Sequence, residues 1–345
     1  MPAKPAASPP VSATLRLAFP GYRIDVETNS LRLAARLQSY FGAYLATTPG
    51  APNARLIAIA GAPRYDASKM KVWARPATPF RAPKESFYDE RGVRRILKNR
   101  TGVLIELGPQ GLSISGSLEE HANQVINLIG TMFGLSLLDA GYVMVHASAV
   151  VSRDDGAVRA FLGNSGSGKS SLALQLIERG GFDFLSNDRV LLRAEKGVVT
   201  AAGLPKKPRV NPGTLLASPS LARLVPRPRR RIYQQLPPEE LWQLEEKTDV
   251  DVEHELGARW RLAAPLSCIY SLEWRPGGVG LDQRELDATG ALQALLATAK
   301  DFGPYDSKLS ERDPLPHFRQ IARRVPFVAL RGRADPRGFA AGFTG

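Results

Sequence analysis

The segment Gly163-Asn-Ser-Gly-Ser-Gly168-Lys169-Ser170 constrains this chain more than any other, because it matches the pattern G-x-x-x-x-G-K-[ST] in full. Its glycines permit backbone angles closed to other residues, so successive N–H groups can turn inward onto phosphate oxygens. The flanks agree: an apolar strand, Ala160–Leu162, precedes the loop, and a helix over Lys169–Arg179 follows it and stops at Gly180–Gly181. From average composition, a chance match to the four fixed positions in a chain this long has a probability on the order of one in a hundred, and the strand and helix lower it further. Gly163, Asn164, Ser165, Gly166, Ser167, Gly168, Lys169, Ser170 and Ser171 are therefore expected to hold a purine nucleoside triphosphate, ATP, at a helix N-terminus. In that geometry Lys169 reaches the β- and γ-phosphates, and the Ser170 hydroxyl ligates Mg2+.

Magnesium also calls for a carboxylate near a strand end. Asp188 closes the apolar run Phe182–Ser186 and is the natural candidate, with Asp183 and Asp139 as weaker alternatives. Ser170 and Asp188 suffice as protein ligands, since this ion usually keeps water and substrate phosphate around it. His146 lies in an apolar strand, Tyr142–Val151, where a lone histidine is more often structural than functional.

The chain has 345 residues and a net charge of +13, which favours anionic partners. Part of the excess is concentrated in Lys206, Lys207, Arg209, Arg223, Arg227, Arg229, Arg230 and Arg231. Between Pro205 and Pro238 proline and arginine are frequent and periodicity is weak, so 205–238 is expected to be a long, partly extended excursion from the core, with a short helix near Leu215–Leu224. No run of 18 apolar residues suggests a membrane span. The single cysteine, Cys268, cannot form an internal disulfide, and the Pro/Ala/Ser-rich start lacks an apolar signal region; a cytoplasmic location is the expectation.

The expected fold class is α/β, in three parts: a flexible tail over 1–13, a smaller N-terminal α+β region over 14–118, and a P-loop domain over 119–345. In the second part, alternation predicts strands at Leu15–Phe19 and Tyr22–Val26, a helix capped by Asn29 or Ser30, a strand at Arg55–Ala60 and a meander from Ser86 to Ser117. In the third, a helix is expected over Glu119–Leu138, then the strand Tyr142–Val151, a hairpin into the loop, a second hairpin at Val190–Ala201, a strand at Ser267–Trp274, helices at Leu286–Lys300 and Pro316–Arg324, and a closing strand at Pro326–Leu330.

The order His146-Ala-Ser-Ala-Val, hairpin, Gly163–Ser170, helix, then Phe-Leu-Ser-Asn187-Asp188-Arg-Val resembles the HPr kinase/phosphorylase superfamily. The run Leu204-Pro-Lys-Lys-Pro-Arg209-Val-Asn211-Pro-Gly213-Thr narrows the resemblance to the HPr-kinase-related kinase B group. The likeness spans Gly141–Thr214. It implies a nucleotide-binding core related to phosphoenolpyruvate carboxykinase, and phosphate transfer to a serine of a small partner protein. It also implies a place for His146 beside the phosphates and a role for Asp188 as magnesium ligand or as base; members assemble into oligomers, which leaves a homo-oligomer open here. One departure matters. Those kinases carry an Asp-Asp pair after the strand, whereas this chain has Asn187-Asp188, and an amide is no base near neutral pH.

The leading functional expectation is an ATP-dependent protein serine kinase using Lys169, Asp188 and His146. The basic stretch would dock an acidic acceptor, or else Arg209 would lie over the phosphates. A nucleotide-gated binding protein or slow ATPase is the alternative that Asn187 favours. A nucleic-acid-dependent ATPase is a third, opposed by the lack of aromatics among the arginines apart from Tyr233. A small-molecule kinase stays open, and no Leu-Ser-Gly-Gly signature points to an ABC-type ATPase.

Overall fold

Alternating apolar residues at Leu15, Leu17, Phe19 and at Tyr22, Ile24, Val26 bury one face of an opening hairpin in a computed structural model that describes residues 10–73, 83–109, 111–274 and 280–332. The expected N-terminal tail lies outside the described residues as far as residue 9. The architecture is mixed α/β with several sheets. Its described residues divide into two units, one within Met1–Ser136 and Phe302–Ser310, the other within Leu137–Asp301 and Glu311–Gly345. Among them, no helix is long and apolar enough to cross a membrane.

The first unit contains β1 (Ala13–Phe19), β2 (Tyr22–Thr28), α1 (Leu31–Tyr40), β3 (Ala54–Ala60), β4 (Lys71–Val72), β5 (Glu85–Glu90), β6 (Val93–Lys98), β7 (Val103–Gly108), β8 (Gly111–Gly116) and most of α2 (Ala122–Asp139). The strands form one sheet in the order β1-β2-β3-β8-β7-β6-β5-β4, in which β2, β3 and β8 run parallel. Ser30 starts α1 by accepting a hydrogen bond from the Leu33 N–H at 3.1 Å, and Leu33, Ala34 and Leu37 pack inward. The expected start of α2 at Glu119 is corrected to Ala122. Glu119 instead accepts the Ser30 hydroxyl at 2.6 Å, which holds it outside the helix.

The second unit continues with β9 (Val143–Val145), β10 (Ala147–Ser152), β11 (Val158–Leu162), α3 (Lys169–Glu178), β12 (Phe182–Ser186), β13 (Val190–Glu195), β14 (Val198–Gly203), β15 (Arg209–Val210), α4 (Pro212–Leu216), α5 (Arg227–Tyr233), α6 (Pro238–Gln243), β16 (Thr248–Asp249), α7 (Val252–Leu256), β17 (Ala263–Trp274), β18 (Leu281–Glu285), α8 (Ala288–Ala297), β19 (Ala299–Lys300), α9 (Leu315–Ala322) and β20 (Phe327–Gly332). Its main path is β12-β10-β11-β17-β14-β13-β9-β19, and β20 pairs with both β17 and β18. β11 runs antiparallel to β10 and parallel to β17. Both faces of β11 are covered. Val158, Ala160 and Leu162 join an apolar cluster with Leu295 and Phe318, while Phe161 joins another with Leu172, Leu176 and Phe184. Burial on both sides explains why this strand reads as a continuous apolar run.

Two expectations need correction. The strand Tyr142–Val151 is broken at His146: β9 pairs with β13 and β19, whereas β10 pairs with β11 and β12. The His146 N–H leaves both ladders and donates to the Thr298 carbonyl at 2.7 Å. Nor is 205–238 an excursion from the core. Val210, Leu215, Leu221, Val225 and Tyr233 are buried in the cluster beneath α3. Pro212, Pro226, Pro228, Pro237 and Pro238 sit at the N-caps or in the first turns of α4, α5 and α6, where a missing N–H costs nothing. The helix expected over Leu286–Lys300 is shorter, because Thr298 closes α8 and Lys300 joins β19.

Candidate functional site

β11 delivers the chain to Gly163 from the middle of the sheet, and the loop Gly163–Gly168 returns it into α3. Gly163 has φ 151°, and a Cβ there would lie 2.7 Å from Ser167 Oγ and 3.2 Å from the Leu272 carbonyl, so only glycine fits this turn. Gly168 has φ 82° and starts α3 without a capping side chain, so the N–H groups of the first turn keep their outward donors. That is the loop geometry an anion requires.

Lys169 is buried, 5% exposed, and folds back along the loop. Its Nζ donates to the Gly163 carbonyl at 2.8 Å and the Asn164 carbonyl at 2.7 Å. Burial pushes its ammonium down to about 8, with Asp188 opposing the shift and Lys300 adding to it. Both Ser170 Oγ and Ser148 Oγ donate to the Asn187 carbonyl at 3.2 Å. The start of α3, the start of β10 and the residue after β12 thus converge on one backbone oxygen.

Asp188 follows immediately. Its carbonyl lies 3.0 Å from His146 Nδ1, and its carboxylate Oδ1 3.3 Å from the same nitrogen. A carbonyl can only accept, so Nδ1 carries the proton and Nε2 is the ring's acceptor when neutral. The break between β9 and β10 is what turns His146 toward Asp188. Crowding by protein atoms would raise the Asp188 carboxyl, but His146, Arg189 and Lys206 outweigh it and hold the group well below the usual carboxylate range. The side chain nevertheless keeps 56% of its surface in solvent, and Arg189 Nε lies 3.7 Å away. Lys206 is pushed down to about 8 by burial, opposed by Asp188 and reinforced by Arg209 and Arg189. Asp188 thus feels both Lys169 and Lys206, with Lys300 acting on the first and Arg189 and Arg209 on the second, a field suited to a polyanion.

Several residues singled out from the sequence lie elsewhere. Arg209 is turned to Asp249, with Nε 2.9 Å from Oδ1, and its guanidinium also donates to the Lys247 carbonyl at 3.3 Å. Ser171 is buried and shares a 2.9 Å hydrogen bond with Thr214 inside the unit. Asp183 is buried against Arg153 at 2.9 Å, and Asp139 pairs with Arg312 at 2.9 Å, so neither alternative carboxylate serves this site. Asn187 Nδ2 donates to the Arg209 carbonyl at 3.3 Å, which commits that amide to holding β15. Sequence reasoning gave no site role to Ser148, Arg189 or Lys300, and gave Lys206 only a share in the basic docking stretch. Ser148, Arg189 and Lys206 each lie within a motif run quoted above, whereas Lys300 lies in none.

Among the described residues, no group of three or more His, Cys, Asp or Glu side chains is arranged to hold a metal ion alone. Ser170 Oγ, bonded to the Asn187 carbonyl, and the carboxylate of the following residue, Asp188, are hard oxygen donors of the kind magnesium takes together with phosphate and water. The residues fit that ion.

Comparison with protein-family models and with curated protein sequences finds no match. Among solved structures, the chain is similar to the HPr(Ser) kinase/phosphatase from Coxiella burnetii, with 14% identity and a TM-score of 0.31 over 58% of this chain and 93% of that one. That likeness is distant and bears on neither activity nor residue roles.

Proposed function

We propose that this chain is a phosphotransferase that binds ATP with Mg2+ on the Gly163–Ser170 loop and transfers the γ-phosphoryl group to a serine of a small, acidic partner protein. The carrying observation is that Lys169 folds onto the carbonyls of the glycine loop, Ser170 at the start of α3 bonds the Asn187 carbonyl, and the next residue, Asp188, is held by His146. The serine acceptor rests on the motif resemblance to HPr kinases. Lys169 leaves the Gly163 and Asn164 carbonyls for the β- and γ-phosphates, and the first-turn N–H groups of α3 hold the phosphate oxygens. Magnesium, when bound by Ser170 and Asp188, supplies charge neutralisation on those oxygens. The bond from the γ-phosphorus to its bridging oxygen breaks as the serine Oγ bonds to phosphorus. The hydroxyl proton passes to His146 Nε2, and ADP leaves. Asp188, with His146 Nδ1 3.3 Å from its carboxylate and Arg189 Nε 3.7 Å away, serves the cation through its charge.

Asp188→Asn tests this assignment through binding alone. Calorimetric titration of ATP should show that magnesium strengthens binding to the wild type but about tenfold less in the variant. Equal magnesium dependence would remove Asp188 from the metal site.

Titration supplies a second test. Lys169 and Lys206 are pushed down to about 8 in the free protein, and a bound triphosphate raises them again. Both are already protonated below that value, so ATP affinity should be flat there and fall by about tenfold per pH unit for each lysine above it. Titrations at pH 8.5 in buffers of different ionisation enthalpy should register proton uptake; zero uptake would place ATP away from both lysines.

Docking of the acceptor falls to the exposed face of α5. Arg223 and Arg229 are each tied to a glutamate at 2.7 Å, Glu255 and Glu246, whereas Arg227, Arg231 and the 59% exposed Ile232 face solvent. Arg227→Glu with Arg231→Glu should raise the KM for the acceptor about tenfold and leave that for ATP unchanged; equal loss of both would end the docking assignment. The arginine stretch offers no stacking platform for bases, because Tyr233 is buried and its hydroxyl donates to Glu246 at 2.7 Å.

A nucleotide-gated binder or slow ATPase is the second reading, and the Asn187 amide supports it by leaving one carboxylate where the resembled family has two. It would bind ATP with the same pH profile and transfer no phosphate to protein.

A further inference from the structure

In the first unit, the parallel strands β2, β3 and β8 direct their carboxyl ends toward one side of the sheet, where a cavity of about 840 Å³ opens. Arg32 and Arg36 of α1, the chain leaving β3 and β8, and Thr101, Glu119 and Glu120 line it. In open α/β sheets the crevice outside the carboxyl ends of parallel strands is the usual ligand site, and these three strands present such ends within an otherwise antiparallel sheet. Its walls are fixed. The Asn29 side-chain amide donates to the Ala60 carbonyl at 3.2 Å and accepts from the Ala60 N–H at 2.8 Å, clamping the end of β3 to the start of α1.

The lining chemistry is two-sided. Arg32 and Arg36 lie one helical turn apart on the same face of α1. Arg32 is 83% exposed and only loosely paired, 3.7 Å from Glu119 Oε2, and Arg36 donates to the Glu119 carbonyl at 3.3 Å. A guanidinium has five N–H donors, so both retain capacity for a ligand. Glu119 is partly engaged by Ser30, while Glu120 is exposed at the same cavity. Thr101 Oγ1, also in the lining, is buried with no hydrogen-bond partner among the described residues. Two guanidiniums balanced by two carboxylates give a bare anion little net attraction, but they suit a molecule carrying a carboxylate at one end and an ammonium at the other. A cavity of this volume holds a drug-sized ligand, larger than one amino acid.

We propose that this cavity binds a short peptide with free termini, its carboxylate on Arg32 and Arg36 and its ammonium on Glu120. Saturation-transfer NMR on the full chain with a mixture of free tripeptides tests it, beside the same peptides N-acetylated and C-amidated. Free peptides should show saturable transfer, and blocked ones should bind at least tenfold more weakly. Arg36→Gln and Glu120→Gln, both at exposed positions and checked for wild-type melting, should each lose about tenfold, while Lys169→Ala in the other unit should bind as the wild type does. No transfer to free peptides, equal binding of blocked ones, or wild-type binding by Arg36→Gln and Glu120→Gln would each overturn the proposal. Loss of transfer in Lys169→Ala would overturn it too, by moving the peptide to the nucleotide loop.

Discussion

Lys169→Ala is expected to lower phosphoryl transfer about a thousandfold, the scale on which a single preorganised charge or donor acts on a transferring group. Among the described residues, Lys169 Nζ donates hydrogen bonds to loop atoms alone, the Gly163 and Asn164 carbonyls and, at 3.5 Å, Ser167 Oγ. Its removal therefore takes away charge from the phosphate site without removing a link between strands. The variant should fold at least as well as the wild type at pH 7. Burial holds the ammonium at about 8 instead of its ordinary 10.5, so keeping it charged costs the folded state on the order of 3 kcal/mol. That penalty is fully present below pH 8 and is relieved as pH rises toward 10.5. A thermal melt that holds or rises while transfer collapses would match; transfer retained within tenfold would remove Lys169 from the chemistry.

Gly203→Ala should give the largest loss of stability. A Cβ at this position would stand 2.1 Å from the Leu185 carbonyl oxygen and 3.3 Å from Ser186 Cβ, both on β12. The contact is with backbone, so no rotamer change relieves it, and β14 and β12 must separate. Overpacking of this kind costs about 3 kcal/mol or more, which for a unit this size lowers the melting temperature by roughly 6–12 °C. Because β12 leads into Asn187 and Asp188, ATP affinity should fall with it. A melting temperature within 2 °C or so of the wild type would show that the two strands have slack between them.

The strand, loop and helix around Gly163–Ser170 were legible because their determinants are contiguous: a buried run, glycines at the turn, and a glycine-terminated helix. Asp188 could be placed by its position at the end of an apolar strand. His146 could not be placed from its surroundings. Its strand breaks because the N–H finds the Thr298 carbonyl, a partner 152 residues away that no local pattern announces. Lys300 was hidden in a helical pattern for the related reason that Thr298 ends α8 and the chain then pairs with β9. The segment 205–238 misled because its helices are short and carry little periodicity, yet Pro212, Pro226, Pro228, Pro237 and Pro238 start them and their apolar residues reach the core. Arg209 likewise found Asp249 on β16, a strand that nothing in the sequence had marked.

The most direct measurement is incubation of the full chain with γ-labelled ATP, magnesium and lysate from its own organism, beside Lys169→Ala. Acid-stable label on the serine of a small protein, absent with the variant, is the predicted result. Saturable ATP binding at the loop with no labelled protein in any lysate fraction would contradict phosphotransfer to serine and leave the nucleotide-gated binder in its place.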